Sequence, residues 1–385
     1  MECPLPPGMD AVHIGVPFCA TALAEAKRLG ATKVFVLANR SSAALAEPFA
    51  GALRECSMLA APLCCDIQMG GGEDGLLQAC DIAAAAGADA IVTIGGGAIH
   101  DAGKLVRLWL SVAVDGVAAS VPGIQAATQG EPSLVPQICA PNSFAMAELT
   151  CVAGVTTRDN VKSGAAHPAM MPTVVVYDPA LSSGLPAWVR FGTALRGVEH
   201  SVGALCHPKA TEPLREAALR GLTHVVRGLR AMVDEPESVE ASVDVYRGGW
   251  IAIRALNDAG YPAIGHFVEN HYSARFNVHQ GSCSGILCAR ILHHHRAASS
   301  ANQARLAQAL GEPSTSAPRL VRDLVACLPD VAKDHADAKV DATKLGEFAD
   351  WLYATHANKL NSLSPVPFTS AAEVLSMLSQ PLEDL

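Results

Sequence analysis

The sequence predicts an α/β domain with a mostly parallel sheet over residues 1–180, followed by an all-helical domain over residues 181–385. Three observations carry that reading. Short β-branched runs alternate with Ala- and Leu-rich helical stretches up to Asp178-Pro179, and no such run follows. At 385 residues the chain exceeds what one hydrophobic core usually serves. Half of the residues are hydrophobic and 17% are charged, enough to fill two interiors.

The elements follow in order. Helical spacing over 21–29 stops at Gly30, and the run Val34-Phe35-Val36-Leu37 reads as a buried strand. Residues 42–55 and 74–86 read as helices, the second stopping at Gly87. Glycine just past the last apolar turn accepts the left-handed conformation that ends a helix. Ala90-Ile91-Val92-Thr93-Ile94 and Thr173-Val174-Val175-Val176-Tyr177 are further strands, apolar without alternation, as in a sheet covered on both faces. Beyond a boundary near Leu181, residues 186–206, 211–234, 238–256, 282–295, 300–310, 318–328 and 343–357 carry helical spacing.

Composition excludes several classes. Low charge and high apolar content are the reverse of a disordered chain. A formal net charge of −9 argues against a nucleic-acid partner. Mean hydropathy is positive, at +0.24. No charge-free apolar run approaches the ~20 residues of a spanning helix, however, so no membrane partner is expected. The opening Met-Glu-Cys-Pro-Leu-Pro-Pro lacks a basic segment followed by an apolar one, and a cytoplasmic location is expected. The 12 cysteines contain no CxxC pair and read as buried thiols rather than a disulfide framework or zinc site.

The segment from Ala90 through Gly95-Gly96-Gly97 to Lys104 passes from strand through three glycines into helix. Such a turn lets backbone N–H groups approach a pyrophosphate at a helix N-terminus. It is neither GxGxxG nor a P-loop. Its continuation, Gly95-Gly96-Gly97-Ala98-Ile99-His100-Asp101-Ala102-Gly103-Lys104, resembles the GGGSxxDxAK signature of the iron-containing alcohol dehydrogenase superfamily, with Ala98 for Ser and Gly103 for Ala. Pro141-Asn142-Ser143-Phe144-Ala145-Met146-Ala147-Glu148-Leu149-Thr150 aligns without a gap to the PTTYAGSEMT stretch of maleylacetate reductases, four of ten positions agreeing. Pro172 to Leu181, followed by Leu185-Pro186, is similar to the same family's PxxVIYDPxL…LP segment.

The resemblance implies a dehydroquinate synthase-like fold, a nicotinamide cofactor and a frequent homodimer. By position it places Gly95, Gly96, Gly97 and Asp101 at the pyrophosphate and ribose, and Asn142, Ser143, Leu149 and Lys162 along the cofactor. Asn39, at the end of the Val34 strand, stands where an acidic residue would bind the ribose 2′-OH. An uncharged Asn followed by Arg40 tolerates a 2′-phosphate, so NADP is preferred over NAD.

The catalytic half departs from the pattern. Metal-binding members present Asp-xxx-His on one helix and two further His later. Here His200 matches, but Arg196 takes the carboxylate position; His266 matches, but Asn270 and Gln280 stand where later ligands fall unless His279 substitutes. One reading lets His200, His266 and His279 hold a metal with Glu199 or water. The favoured one is metal-free, with Arg196 doing the ion's electrostatic work, because a guanidinium on the same helix face repels a dication. Arg196 also suits a carboxylate-bearing substrate through its fork.

The expectation is an NAD(P)H-dependent oxidoreductase acting on a small carbonyl or unsaturated acid in the interdomain cleft, metal-independent. Arg196, His200, His266 and His279 are its catalytic candidates, with His200 or His266 supplying a proton near neutral pH. The alternative is a lyase, isomerase or cyclising enzyme on the same fold. His293-His294-His295 point in three directions and read as the solvated end of a helix rather than a metal tract.

Overall fold

A computed structural model of the chain describes residues 4–67, 72–114, 116–159 and 162–385, Lys162 by its backbone alone. The chain divides into two compact units, Met1–Ser183 and Gly184–Leu385.

In the first unit, strands β1 (Ala11–Ile14), β2 (Val34–Ala38), β3 (Ala90–Gly95), β4 (Gln137–Pro141) and β7 (Val174–Tyr177) form an all-parallel sheet of order β1-β7-β4-β3-β2. Strands β5 (Val152–Thr156) and β6 (Lys162–Ala166) make a separate antiparallel pair. The helices are α1 (Phe18–Arg28), α2 (Ala43–Glu55), α3 (Glu73–Ala86), α4 (Gly97–Leu110), and the short α5 (Val121–Ala126) and α6 (Pro179–Ser182). Successive strand residues face opposite layers. Phe35, Leu37 and Ile91 pack with Leu76, Leu105 and Trp109, whereas Val34, Val36, Ala90 and Val92 pack with Phe18, Phe49 and Leu53.

The sequence reading misses β1, β4 and the β5–β6 pair. In β4 the flanking prolines and a polar Gln137 mimic a loop, yet the strand is central and fully buried. Pro141 is its last residue, where the ladder is about to end, and it lies opposite Gly95.

One departure from the glycine signature, Gly103 for Ala, has a local cause. A Cβ on Gly103 would lie 2.4 Å from Thr93 Cγ2 and 2.6 Å from Gln137 Nε2, so α4 sits on the sheet at glycine distance. Gln137 Nε2 donates to the His100 carbonyl at 3.1 Å and to Thr93 Oγ1 at 3.3 Å. The residue after Gly103, Lys104, is fully buried, and its Nζ donates to the carbonyls of Ala147 (2.7 Å) and Val152 (2.8 Å), to Thr150 Oγ1 (3.2 Å) and to Asp101 Oδ1 (3.3 Å). A lysine ammonium can make such bonds only where carbonyls converge, so it fastens the loop after β4 onto α4.

The second unit holds α7 (Ala187–Cys206), α8 (Glu212–Asp234), α9 (Val239–Gly260), α10 (Ile264–Phe276), α11 (Gln280–His294), α12 (Ser300–Ala309), α13 (Ala317–Cys327), α14 (Leu345–Leu363) and α15 (Ala371–Leu378). Among the described residues it has no strand. Helices α10 and α15 were not anticipated: α10 is nearly uniform around its circumference, and α15 has only eight residues. A Cβ on Gly281 would lie 2.5 Å from the Gly192 carbonyl carbon, so the backbones of α7 and α11 are in contact there.

Two readings are corrected. His295 is 3% exposed, bonded at Nδ1 to the Ile291 carbonyl and at Nε2 to Ser364 Oγ, while His294 stacks on Phe368 at 4.8 Å. Burial lowers the pKa of all three histidines of the tract, and the packing of His294 and His295 replaces the expected solvated, dipole-matched end. Of the cysteines, Cys64, Cys80, Cys139, Cys283 and Cys288 are buried, but Cys56 and Cys327 are exposed; every described cysteine is a free thiol. No helix of the described residues is long and apolar enough to cross a membrane.

Buried Glu148 accepts a 2.7 Å hydrogen bond from Tyr177 Oη. Burial raises its pKa to about 7 against that bond. A carboxyl whose folded pKa lies above its unfolded value stabilises the fold below pH ~4.5 and loses that contribution as pH rises through 7. Glu148→Gln should therefore flatten the decline in urea stability between pH 5 and pH 8 by about 2 kcal/mol. Urea denaturation at the two pH values checks this.

Candidate active site

In the first unit the predicted cofactor residues gather at the carboxyl ends of three adjacent strands. Asn39 follows β2, Gly95 to Gly97 close β3 and open α4, and Asn142 and Ser143 follow β4. Gly96 caps α4 without any side chain, leaving the helix N-terminus to an anionic group. A Cβ on Gly96 would meet Ser143 Oγ at 3.4 Å and one on Gly97 would meet Ala147 Cβ at 3.2 Å, so the cradle is walled by the loop that Lys104 holds. Asn142 ties the strand ends together, its N–H donating to the Gly95 carbonyl and its Nδ2 to Ser42 Oγ, both at 3.0 Å.

Other candidates have structural duties. Asp101 Oδ2 accepts the Gly154 N–H at 3.0 Å, and Leu149 is buried. Asn39 Oδ1 accepts the Ser42 N–H at 3.0 Å, and Arg40 Nη2 donates to Asp66 Oδ1 at 3.3 Å, an acid the sequence reading did not consider. Lys162 lies on strand β6, and its side chain lies outside the described residues.

The second unit builds a buried charged cluster. Arg196, Glu199 and His200 share one face of α7; α10 brings His266 and Glu269, and α11 brings Ser284. Arg196 Nη1 donates to Glu269 Oε2 and, at 3.1 Å, to Ser284 Oγ; its Nη2 donates to His266 Nδ1 and lies 3.8 Å from Glu199 Oε2. Ser284 Oγ in turn donates to Glu269 Oε2 at 2.9 Å. Arg196, Glu199, His200 and Glu269 are at most 3% exposed. Burial opposes the charge on Arg196, but Glu269 and then Glu199 outweigh it and hold the guanidinium protonated.

These contacts revise two expected roles. Both terminal nitrogens of Arg196 are engaged by protein groups, so the fork is not open to a substrate carboxylate. Burial, reinforced by the Arg196 charge, pushes the pKa of His200 and His266 well below 6.5. Both are neutral near pH 7, so neither carries the extra proton of an imidazolium acid.

His279 stands apart from the cluster as the N-cap of α11, its Nδ1 accepting the Gly281 N–H at 3.2 Å and its ring edge-on to Trp188 at 5.0 Å. Asn270 and Gln280, the residues at two expected ligand positions, hydrogen-bond each other at 2.5 Å. Ligand atoms of Glu199, His200 and His266 do converge within 4.8 Å. Glu269, Ser284 and Tyr261, whose Oη lies 2.5 Å from His266 Nε2, were not anticipated. Glu269 is one helical turn from His266 and could have been marked by that spacing; Ser284 and Tyr261 carry no sequence signal.

A parallel-sheet unit with a capless glycine turn, followed in the chain by a helical unit with buried acid–base groups, has the architecture of a two-domain dinucleotide-binding protein. Residues 11–179 match the family described as iron-containing alcohol dehydrogenase, and residues 192–378 match the C-terminal domain of the Fe-containing alcohol dehydrogenase family. The chain belongs to the iron-containing alcohol dehydrogenase superfamily, on its maleylacetate reductase branch. It is 25% identical over 274 residues to a maleylacetate reductase of Pseudomonas knackmussii, covering 71% of this chain and 70% of that one. The crystal structure of maleylacetate reductase from a Rhizobium species superposes with a TM-score of 0.81 at 22% identity, over 97% and 96% of the two chains. An alcohol dehydrogenase from Oenococcus oeni superposes with a TM-score of 0.85 at 16% identity, over 97% and 98%.

Arg196→Met would leave two buried carboxyls without their cation. It should lower stability by about 3–5 kcal/mol, and a parallel Arg196→Lys variant should recover only part of that, because an ammonium lacks the fork. Urea denaturation of the three proteins at pH 7 reads both effects.

Proposed function

We propose that the chain is an NAD(P)H-dependent reductase of a small carbonyl-bearing or unsaturated carboxylic acid, and that it works without a metal ion. The observation that carries the reading is the burial of Arg196 against His266, Glu199 and Glu269. A metal ion does not fit this donor set. The guanidinium already bonds His266 Nδ1, and a dication among Glu199, His200 and His266 would face its positive charge at close range. Asn270 and Gln280 satisfy each other rather than a metal.

The glycine turn fits a dinucleotide: a capless helix N-terminus, a cradle that a Cβ would fill, and Asn142 and Ser143 just past the end of the neighbouring strand. When bound, the nicotinamide supplies the hydride. Gly95 to Gly97 would hold the pyrophosphate, and Arg40, largely exposed beside an uncharged Asn39, would accept a 2′-phosphate. We therefore infer a preference for NADPH, small in size because Asp66 already engages Arg40. Arg196 acts by its charge and by fixing its neighbours, not by gripping the substrate. The maleylacetate reductases among the relatives support an oxoacid or unsaturated diacid as substrate.

The test is NADPH oxidation with maleylacetate and a panel of short oxoacids and aldehydes, before and after dialysis against EDTA, with metal content measured by emission spectroscopy. Turnover that survives chelation, in protein holding far less than stoichiometric metal, is the expected result. Stoichiometric metal together with activity lost on chelation would overturn the metal-free reading.

A further inference from the structure

Arg196 determines the tautomer of His266. A guanidinium only donates, so His266 Nδ1, which takes Arg196 Nη2, is an acceptor without hydrogen. The ring is buried beside a fixed positive charge and neutral, so its one proton sits on Nε2. That atom lies 2.5 Å from Oη of Tyr261, in the segment joining α9 to α10. The imidazole donates and the phenol oxygen accepts; the proton of the phenol is thereby turned away from His266. Tyr261 is half-buried, whereas Glu199, His200 and Glu269 are at most 2% exposed.

We propose that Tyr261 is the proton donor of the reduction, with His266 and Arg196 as its positioning residues. This rests on the reductase reading above. A carbonyl that gains a hydride at its own carbon, or at the far carbon of a conjugated double bond, passes a π electron pair to its oxygen. That oxygen forms an O–H bond with the Tyr261 proton as the phenol O–H bond breaks. The reductant is a reduced nicotinamide dinucleotide, oxidised as the substrate gains two electrons. The phenolate left on Tyr261 is held by His266 Nε2–H and by the positive charge of Arg196 behind it, and water returns the proton. Of the other charged and titratable groups of the cluster, Glu199 on α7 and Glu269 on α10 lie against Arg196, Glu199 is also 3.6 Å from His266 Nδ1 and from His200 Nε2, and the His200 ring lies 5.6 Å from that of His266. The neutral imidazole thus serves as a hydrogen-bond donor that settles which way the phenol points.

Two measurements test the assignment. Two-bond proton–nitrogen NMR of the ligand-free, isotope-labelled protein should show His266 as the Nε2–H tautomer at pH 7; the Nδ1–H tautomer or an imidazolium overturns the proposal without reference to activity or to any variant. Tyr261→Phe should lower kcat on the substrate found above about 100-fold, the lower range of general-acid effects, with KM changed less than threefold and the nucleotide-induced rise in Tm retained. Wild-type turnover that Tyr261→Phe leaves within twofold overturns the donor alone. Failure of the wild type to turn over any substrate while it binds nucleotide overturns the reductase reading, and the donor with it.

Discussion

The buried guanidinium of Arg196 is the constraint around which the second unit is arranged. A desolvated cation survives only if its donors and its charge are both met. Glu269 and Ser284 meet one terminal nitrogen and His266 the other, while Glu199 stands within ion-pair distance. Two carboxyls around one cation leave a negative charge over, and burial raises the pKa of both, so the set favours keeping one proton near neutral pH. The same positive charge, added to burial, denies His200 and His266 a second proton. One substitution at a ligand position thus changes the protonation of its neighbours and passes the task of proton donation to the rim of the cluster.

Backbone approach makes this arrangement possible. Glycines at 192 and 281 let α7 and α11 touch, which brings Ser284 to Arg196. Gly265 leaves room for Glu199, whose Oε1 would lie 2.9 Å from a Cβ there, so α10 can present His266 to the same face of α7. The first unit solves a similar problem with Lys104, an interior ammonium satisfied mainly by backbone carbonyls and one hydroxyl. Lys104 holds the wall of the glycine cradle as Arg196 holds its cluster, and in each case a long cationic side chain reaches groups far apart in sequence.

Much of this was legible beforehand, for definable reasons. The strands over Val34 and Ala90 are buried on both faces, and continuous apolar runs reveal that. The glycine turn was legible because only glycine fits between β3 and α4, as Gly95 demonstrates with φ +155°, and Gly103 shows the same closeness where α4 meets the sheet. Strand β4 was hidden because proline and glutamine occupy a buried strand whose end needs no further ladder bond. Arg196 was recognised as a departure from the metal pattern, yet its use of both terminal nitrogens depends on Glu269 and Ser284, 73 and 88 residues away.

The strands at Val34, Ala90 and Val174 with the helices between them, the strand-free second unit, the glycine turn and the loss of a carboxylate at position 196 are properties of local sequence, since periodicity and short-range sterics are enough to produce or reveal them. The commitment of Arg196 to protein partners, the neutral state of His200 and His266, the withdrawal of His279 into a helix cap and the pairing of Asn270 with Gln280 belong to the tertiary structure. The physical reason is that desolvation and hydrogen-bond direction act through space between helices: a protonation state or a tautomer exists only once three helices have closed around it.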